Sequence, residues 1–134
     1  MSTHKFKFGI SIGEFKIPDF DHALERVRAI GLEYILAENL GSLGLISNFS
    51  DSQADNFRKR LESQSIQPLM IGSRTFKQVH LSDIDVNTMT DHPQFRQHFT
   101  KLVRTMQIGD RLGYRDICTF TFAWPGENTT GSPK

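Results

Sequence analysis

Hydrophobic residues along the chain alternate between the spacing of a strand and the spacing of a helix. Over residues 5 to 12, Phe and Ile occupy every second position, which predicts a first strand. Asp19 supplies an N-cap carboxylate, and the apolar residues after it recur at steps of three and four until Gly31. A helix is therefore predicted over about 20 to 30. Residues 32 to 37 are too few for another helix and rich in strand formers, so we predict a second strand there.

The same alternation continues through the middle of the chain. Ser50 and Gln53 have the spacing of a capping box, which predicts a second helix that ends near residue 63. A short apolar run over residues 66 to 71 predicts a third strand. Pro68 cannot donate to a ladder, which favours a strand start or a partly unpaired position for this residue.

The last predicted helix and strand complete an α/β pattern. The sequence Asp-His-Pro at residues 91 to 93 begins a third helix that Gly113 ends, and residues 117 to 122 form a fourth strand. Residues 74 to 90 lack clear periodicity and are predicted to form a long loop, and residues 124 to 134 a loop-like tail. The predicted order βαβαβαβ indicates a parallel sheet with helical crossovers.

Composition narrows the classes of partner. The 134 residues carry 16 Lys and Arg against 15 Asp and Glu, and a net charge of +1 argues against a nucleic-acid-binding or polybasic membrane surface. The longest apolar runs fall far short of the ~20 residues that span a bilayer, and the N-terminus lacks the apolar stretch of a secretory signal. We therefore expect a cytoplasmic protein with no membrane partner. The single cysteine, Cys118, is interpreted as an inert buried thiol.

Candidate ligand contacts lie where the predicted strands end, because parallel α/β sheets bind ligands outside the carboxyl ends of their strands. These ends comprise residues 11 to 14, 38 to 42, 73 to 77 and 121 to 127. Five candidates for substrate binding lie within them, and a sixth, His80, lies in the long loop. The six are Glu38, Arg74, Lys77, His80, Trp124 and Glu127.

Each candidate has a chemical reason and a structural alternative. Glu38 can bind a sugar hydroxyl or help a metal site, or else form a helix-cap or loop hydrogen bond. Arg74 and Lys77 can hold a phosphate or carboxylate, or else remain solvated. Trp124 can stack on a sugar ring while Glu127 binds hydroxyl groups, or else the indole only covers the mouth of the sheet. His80 faces a ligand or is an ordinary surface histidine.

Known cofactor motifs are missing. Only Gly9 and Gly13 fall near the end of the first strand, which is too little for a dinucleotide fingerprint. An acidic run over residues 83 to 87 matches the start of a calcium loop, but Thr88 stands where that loop requires Gly and Gln94 where it requires Glu. The five histidines never show metal-ligand spacing with one another. We therefore predict no metal site in this chain.

Several segments together resemble a known family. They are Phe-Lys-Phe-Gly-Ile-Ser at residues 6 to 11, Ala-Ile-Gly-Leu-Glu-Tyr-Ile at 29 to 35, Leu-Gly-Tyr-Arg-Asp-Ile at 112 to 117 and Thr-Phe-Thr-Phe-Ala-Trp-Pro-Gly-Glu at 119 to 127. This pattern resembles the xylose isomerase-like TIM barrels, the sugar phosphate isomerase/epimerase group. The resemblance covers nearly the whole chain but only the N-terminal half of that family's (β/α)8 fold, of which a complete barrel takes about 250 residues.

The resemblance implies an activity for the intact relatives. Members of the family interconvert or epimerise sugars, with a divalent metal (Mn, Mg, Co or Zn) that polarises substrate oxygens and a carboxylate that moves a proton. Those residues come mainly from the second half of the barrel, so no metal ligand or catalytic residue is carried over to this chain. We expect a small sugar as substrate of intact relatives, and no isomerase activity from this chain alone.

The open sheet of a half barrel requires a cover. We expect either a missing C-terminal half, of which this chain would be a truncated fragment, or a homodimer. The alternative function is a non-catalytic α/β module that binds a ligand or partner through the loop at 74 to 90 and the tail after Trp124. A flavodoxin-like sheet is disfavoured because no phosphate loop follows the first strand.

Overall fold

The computed structural model describes residues 6–77, 79 and 84–120. Within them, short parallel strands alternate with α-helices, which confirms the predicted order βαβαβαβ. The elements are β1 (Gly9–Ser11), α1 (Phe20–Ala29), β2 (Tyr34–Ala37), α2 (Asp51–Ser63), β3 (Gln67–Gly72), α3 (Pro93–Leu112) and β4 (Ile117–Cys118).

The strands lie side by side in the order in which they occur along the chain, and every pair is parallel. Ser11, Leu36 and Met70 form one row across β1, β2 and β3. Sequential neighbours with a helix in each crossover are the arrangement of a (β/α)8 barrel, of which these elements make half.

The helix ends follow from residues that satisfy the free backbone groups. Asp19 accepts a hydrogen bond from the His22 N–H at 2.9 Å and caps α1. Ser50 and Gln53 form the predicted capping box of α2, with distances of 2.8 and 3.2 Å. His92 caps α3, and its Nδ1 accepts a hydrogen bond from the Gln94 N–H at 3.2 Å.

The predicted strand boundaries need correction. The first strand covers only Gly9–Ser11, since Phe6 and Phe8 are exposed and Ile12 begins a short 3-10 turn. The second starts at Tyr34, two residues later than predicted. The third is shifted to Gln67–Gly72 and includes Pro68, next to which the pairing with β2 changes register. The fourth covers Ile117–Cys118, and its predicted continuation past residue 120 lies outside the described residues.

The two faces of the sheet differ in burial. Ile35, Ala37 and Ile71 belong to the main hydrophobic core together with the apolar faces of the helices. On the opposite face Leu36 is half-buried and Met70 is exposed. This second face corresponds to the interior of a closed barrel and has no complete cover within the described residues.

The segment predicted as a long loop contains a small apolar cluster. Phe76, Val79 and Ile84 are buried together and pack against Phe95 and Leu102 of α3. The loop is thereby attached to the start of α3, close to the carboxyl ends of the strands. None of the helices among the described residues is long and apolar enough to cross a membrane.

Candidate functional site at the carboxyl ends of the strands

Glu38 is an acidic residue that directly follows β2, at the carboxyl end of that strand. It lies across Gly72, the last residue of β3, and its side chain is only 15% exposed. Because alternate residues of a strand share a face, Gly72 lies on the same open face as Met70. The Glu38 carboxylate is therefore held on the open face, where a barrel binds its substrate.

The loop after Glu38 is fixed by its own backbone. The Glu38 carbonyl accepts a hydrogen bond from the Ile46 N–H at 2.9 Å, and the Leu40 N–H donates to the Gly44 carbonyl at 2.9 Å. Asn39 and Leu45 form an isolated antiparallel bridge. This tight loop sets the direction in which Glu38 leaves the strand.

Three hydroxyl groups connect the end of β3 to the end of β4. The Thr75 hydroxyl lies 2.7 Å from Ser73 Oγ and 2.8 Å from Thr119 Oγ1. Ser73 also donates its backbone N–H to the Cys118 carbonyl at 2.9 Å. Ser73 and Thr75 are buried, so this chain of hydrogen bonds fixes the loop that carries Arg74.

Arg74 lies between Glu38 and a neighbouring cleft. Its Nε is 3.9 Å from Glu38 Oε1, which is the long limit of an ion pair, and its φ of 52° lies in the left-handed region. Residues other than glycine rarely adopt this backbone conformation unless the surrounding structure supports it. With this backbone conformation, the Arg74 side chain reaches both Glu38 and the neighbouring cleft.

The cleft next to Arg74 has a volume of about 280 Å³. Its walls come from the loop after β2, the start of the loop after β3, and α3. The lining residues are Leu45, Ser47, Ser73, Arg74, Lys77, His98 and Lys101. The cleft thus combines cationic side chains with two serines, and none of its described lining residues is acidic.

His98 is fixed in this cleft by the loop. Its Nδ1 accepts a hydrogen bond from the Phe76 N–H at 3.0 Å, and the two rings stack with centroids 5.6 Å apart. Burial, reinforced by the charge of Lys101, holds the pKa of His98 below its ordinary value of 6.5. The imidazole is therefore neutral near pH 7, with its proton on Nε2.

The described residues do not form a divalent-metal site by themselves. No group of three or more His, Cys, Asp and Glu side chains converges within the described part of the chain. Glu38 supplies one carboxylate, and its nearest charged neighbour is the cation Arg74. A catalytic metal site takes at least two or three protein ligands, so this donor set does not fit one.

A second cavity, of about 410 Å³, lies at the opposite end of the sheet, near the start of β3. Leu61, Gln67 and Tyr114 are among its lining residues, and burial raises the pKa of the Tyr114 phenol. In a barrel this end contributes to stability, whereas ligands bind at the carboxyl ends. We therefore place the candidate site at the carboxyl ends.

The structure brings together part of the predicted site. Glu38 and Arg74 are neighbours, and Lys77 lines the cleft beside Arg74. The candidates His80, Trp124 and Glu127 lie outside the described residues and stay predictions. Cys118, interpreted from the sequence as a buried thiol, is only half-buried on β4.

Sequence reasoning missed the contributions of α3 and of the buried hydroxyl groups. His98 and Lys101 are three residues apart on α3, which puts them on one helix face, and that spacing is visible in the sequence. Thr75 and Thr119 are 44 positions apart, and only the folded sheet shows that they meet.

Comparison with solved structures supports the half-barrel fold. The chain matches a crystal structure of D-psicose 3-epimerase, determined in the presence of D-fructose, with a TM-score of 0.61 and 20% sequence identity. The match covers 96% of this chain but 42% of the epimerase, and it fits an N-terminal half of that TIM barrel. It confirms the predicted resemblance at the level of the fold. No family model matches the chain, and no curated protein matches it.

Proposed function

We propose that this chain forms the N-terminal half of a sugar isomerase/epimerase-type barrel and contributes substrate contacts from its strand ends. The proposal rests on the position of Glu38. Its side chain is 15% exposed and lies on the open face of the sheet, at the carboxyl end of β2. A carboxylate in this position accepts hydrogen bonds from sugar hydroxyl groups, and its side chain is already ordered by contact with Gly72.

The role of these residues is to bind and orient a small sugar. Arg74 lies beside Glu38 and offers guanidinium donors to the same ligand. The divalent metal and the proton-moving carboxylate of the intact family would be supplied by other segments. The chain alone should therefore bind without turnover.

The uncovered face and the unpaired edges of the sheet are evidence that this half barrel associates with a partner. β1 and β4 each pair on one side only within the described sheet, and Met70 is exposed on the uncovered face. Unpaired strand edges favour association with further strands. The chain spans 42% of the length of the matched epimerase. We propose that a C-terminal half, or a second copy of this chain, completes the structure, in the cytoplasm.

Amide NMR spectra of the 134-residue chain test the binding role. Addition of D-psicose or D-fructose should shift the signals around Glu38 and Gly72, and Glu38→Gln should weaken this response. Glu33→Gln is the matched control, since Glu33 is exposed at the other end of β2. A folded chain whose spectrum does not change with either ketose would contradict the proposal.

Two further measurements test the remaining parts. Turnover of a ketose panel with Mn, Co or Mg that is abolished by a chelator would show that the chain is a complete enzyme. Size-exclusion chromatography with light scattering should show a dimer or a larger self-associated species. A well-folded monomer with cooperative melting would contradict both the missing-half and the dimer hypotheses, and would favour the non-catalytic binding module.

A further inference from the structure

The outer side of α3 carries apolar side chains that are only partly covered within the described residues. Phe99 is 50% exposed, Met106 is 53% exposed, and Val103 between them is half-buried. Successive residues of an α-helix point about 100° apart, so Val103 lies nearly opposite Thr105, which is fully buried. The apolar side chains therefore face away from the core. A contiguous apolar patch of this kind is typical of an interaction surface.

A regular spacing extends this patch to a charged residue at each end. Along α3, steps of three and four residues alternate through Arg96, Phe99, Val103, Met106 and Asp110. This spacing places the five residues on one side of the helix, and it is the spacing through which two helices pack along each other. We call these five residues the α3 seam.

Both charged ends of the α3 seam are accessible to a partner. Arg96 is exposed, with its Nη2 bound to Asp91 at 2.9 Å and its Nε to the Thr90 carbonyl at 3.0 Å, which leaves Nη1 as a donor. Asp110 is exposed, and its carboxylate has no ion-pair partner among the described residues. The seam thus has a cation at its N-terminal end and an anion at its C-terminal end.

We propose that the α3 seam binds the α3 seam of a second copy of this chain, with the two helices antiparallel. Arg96 and Asp110 are each seven residues from Val103. A twofold axis at Val103 therefore brings Arg96 of each copy next to Asp110 of the partner subunit. A parallel pair would place like charges together at both ends. The charge pattern makes the seam its own complement, and this favours a second copy over an unrelated partner.

Neighbouring contacts order the α3 seam before a partner binds. The Phe99 ring stacks on Phe95 with centroids 6.0 Å apart, and Phe95 packs on Phe76 with centroids 5.5 Å apart. Side chains that are already ordered lose less entropy on binding. Three apolar side chains make a small contact, so we expect a reversible dimer that forms as the concentration rises.

The α3 seam is separate from the surfaces described above. Arg104 and Arg111 bind aspartates of α2 on another side of α3, and Ile108 belongs to the main hydrophobic core. The open face of the sheet lies on the far side of that core. A dimer through the seam therefore leaves Glu38 accessible, and it does not depend on how the open sheet is completed.

Sedimentation velocity of the 134-residue chain over a range of concentrations tests the seam. The wild type should pass from monomer to dimer. Phe99→Glu should raise the dissociation constant about tenfold or more, because the burial of Phe99 is lost and a charge enters the apolar contact. A dimer that Phe99→Glu leaves unchanged would overturn the proposal, and so would a wild type that stays monomeric.

Exchange of the two charges tests the antiparallel direction. Arg96→Glu and Asp110→Lys should each weaken the dimer several-fold, because each places like charges together at both ends of the contact. The double variant, Arg96→Glu with Asp110→Lys, restores opposite charges and should recover the wild-type dissociation constant. A double variant that stays as weak as the single variants would overturn the proposal.

Lys59→Glu is the matched control for Arg96→Glu, since Lys59 is exposed on α2, outside the seam. It should dimerise as the wild type does, and equal weakening by this control would overturn the proposal. Arg96 and Asp110 are both exposed, so the charge variants remain a test should Phe99→Glu lose the dispersed spectrum of the folded chain.

The sugar contact and the seam can fail separately. Phe99→Glu should respond to D-psicose or D-fructose around Glu38 as the wild type does, since the seam is remote from the open face. Association that survives every α3 variant would assign the dimer to another surface and overturn the seam, while the sugar contact stands. A dimer that follows the charge exchange without any ketose response would support the seam and contradict the sugar contact.

Discussion

The Glu38 side chain lies directly against Gly72, the residue that ends β3. A Cβ on residue 72 would lie 2.5 Å from Glu38 Oε2 and 2.7 Å from Glu38 Cβ. Both distances are far below van der Waals contact, and the Glu38 Cβ cannot move without its backbone. Gly72 is thus needed for close approach, and it determines where the carboxylate of the candidate site lies.

Gly72→Ala should destabilise the protein and displace Glu38. Overpacking of a buried site costs about 1–3 kcal/mol, and we expect a loss of this order in the free energy of unfolding measured with urea. In a Glu38→Gly background the same change should cost less, because the clashing side chain is gone. Equal cost in both backgrounds would mean that the contact between Glu38 and Gly72 does not matter.

Thr75→Val tests the buried hydroxyl chain between the ends of β3 and β4. Valine keeps the shape of Thr75 but loses the hydrogen bonds to Ser73 and Thr119. A buried polar group without its partner costs about 1–3 kcal/mol, so the free energy of unfolding should fall by this order.

Thr75→Ser is the control for this change, since it retains the hydroxyl group. It should lose less stability than the valine variant. A valine variant as stable as the wild type in urea would show that these hydrogen bonds contribute nothing to the free energy of unfolding.

Local signals made much of this fold predictable from the sequence. The capping box of Ser50 and Gln53 and the stop at Gly113 depend on neighbouring residues, and both predictions are confirmed. Strand ends depend on pairing partners instead. Alternation predicted a strand from residue 5, but β1 spans only Gly9–Ser11. The neighbouring strand β2 pairs with these three residues and not with the residues before them.

The candidate site was predictable only in part for a similar reason. The rule that ligands bind at carboxyl ends selected Glu38, Arg74 and Lys77 directly from the strand pattern. His98 contacts the loop at Phe76, 22 positions away, and such contacts depend on how α3 packs. Sequence spacing within one element predicts a shared face, but it does not predict which loop packs on that face.

His98 should make stability depend on pH. Its pKa is lower in the folded protein than the ordinary 6.5, so below that value the unfolded chain binds more protons. The stabilisation that comes from the neutral His98 imidazole is complete above pH 6.5, and it is lost as the pH falls through the lowered pKa of the folded state. Melting temperatures measured above and below 6.5 should show this loss.

His98→Asn should remove this part of the pH dependence, because the Asn side-chain oxygen can accept from the Phe76 N–H without titrating. His22→Asn is the control, since His22 is exposed on α1. An unchanged slope for His98→Asn, or an equal loss of slope for the control, would assign the pH dependence to other groups.

The contact between α2 and α3 contains a network of charges that should also matter for stability. Arg111 binds both oxygens of Asp55 at 2.7 Å, and Arg104 reaches Asp51 at 2.8 Å. These arginines hold the pKa values of Asp51 and Asp55 below the usual 3.8.

Arg111→Lys should lower the melting temperature, because an ammonium group cannot reproduce the two-pronged contact with Asp55. The stabilisation is complete above pH 3.8 and is lost as the pH falls through the lowered pKa values of the folded state. Added salt should reduce the difference between variant and wild type, since both partners are exposed. Arg58→Lys is the control, as Arg58 contacts Glu62 within α2 at 3.6 Å and joins no second helix. An equal effect at Arg58 would mean that the melting temperature reports general surface charge rather than the pairing of α2 with α3.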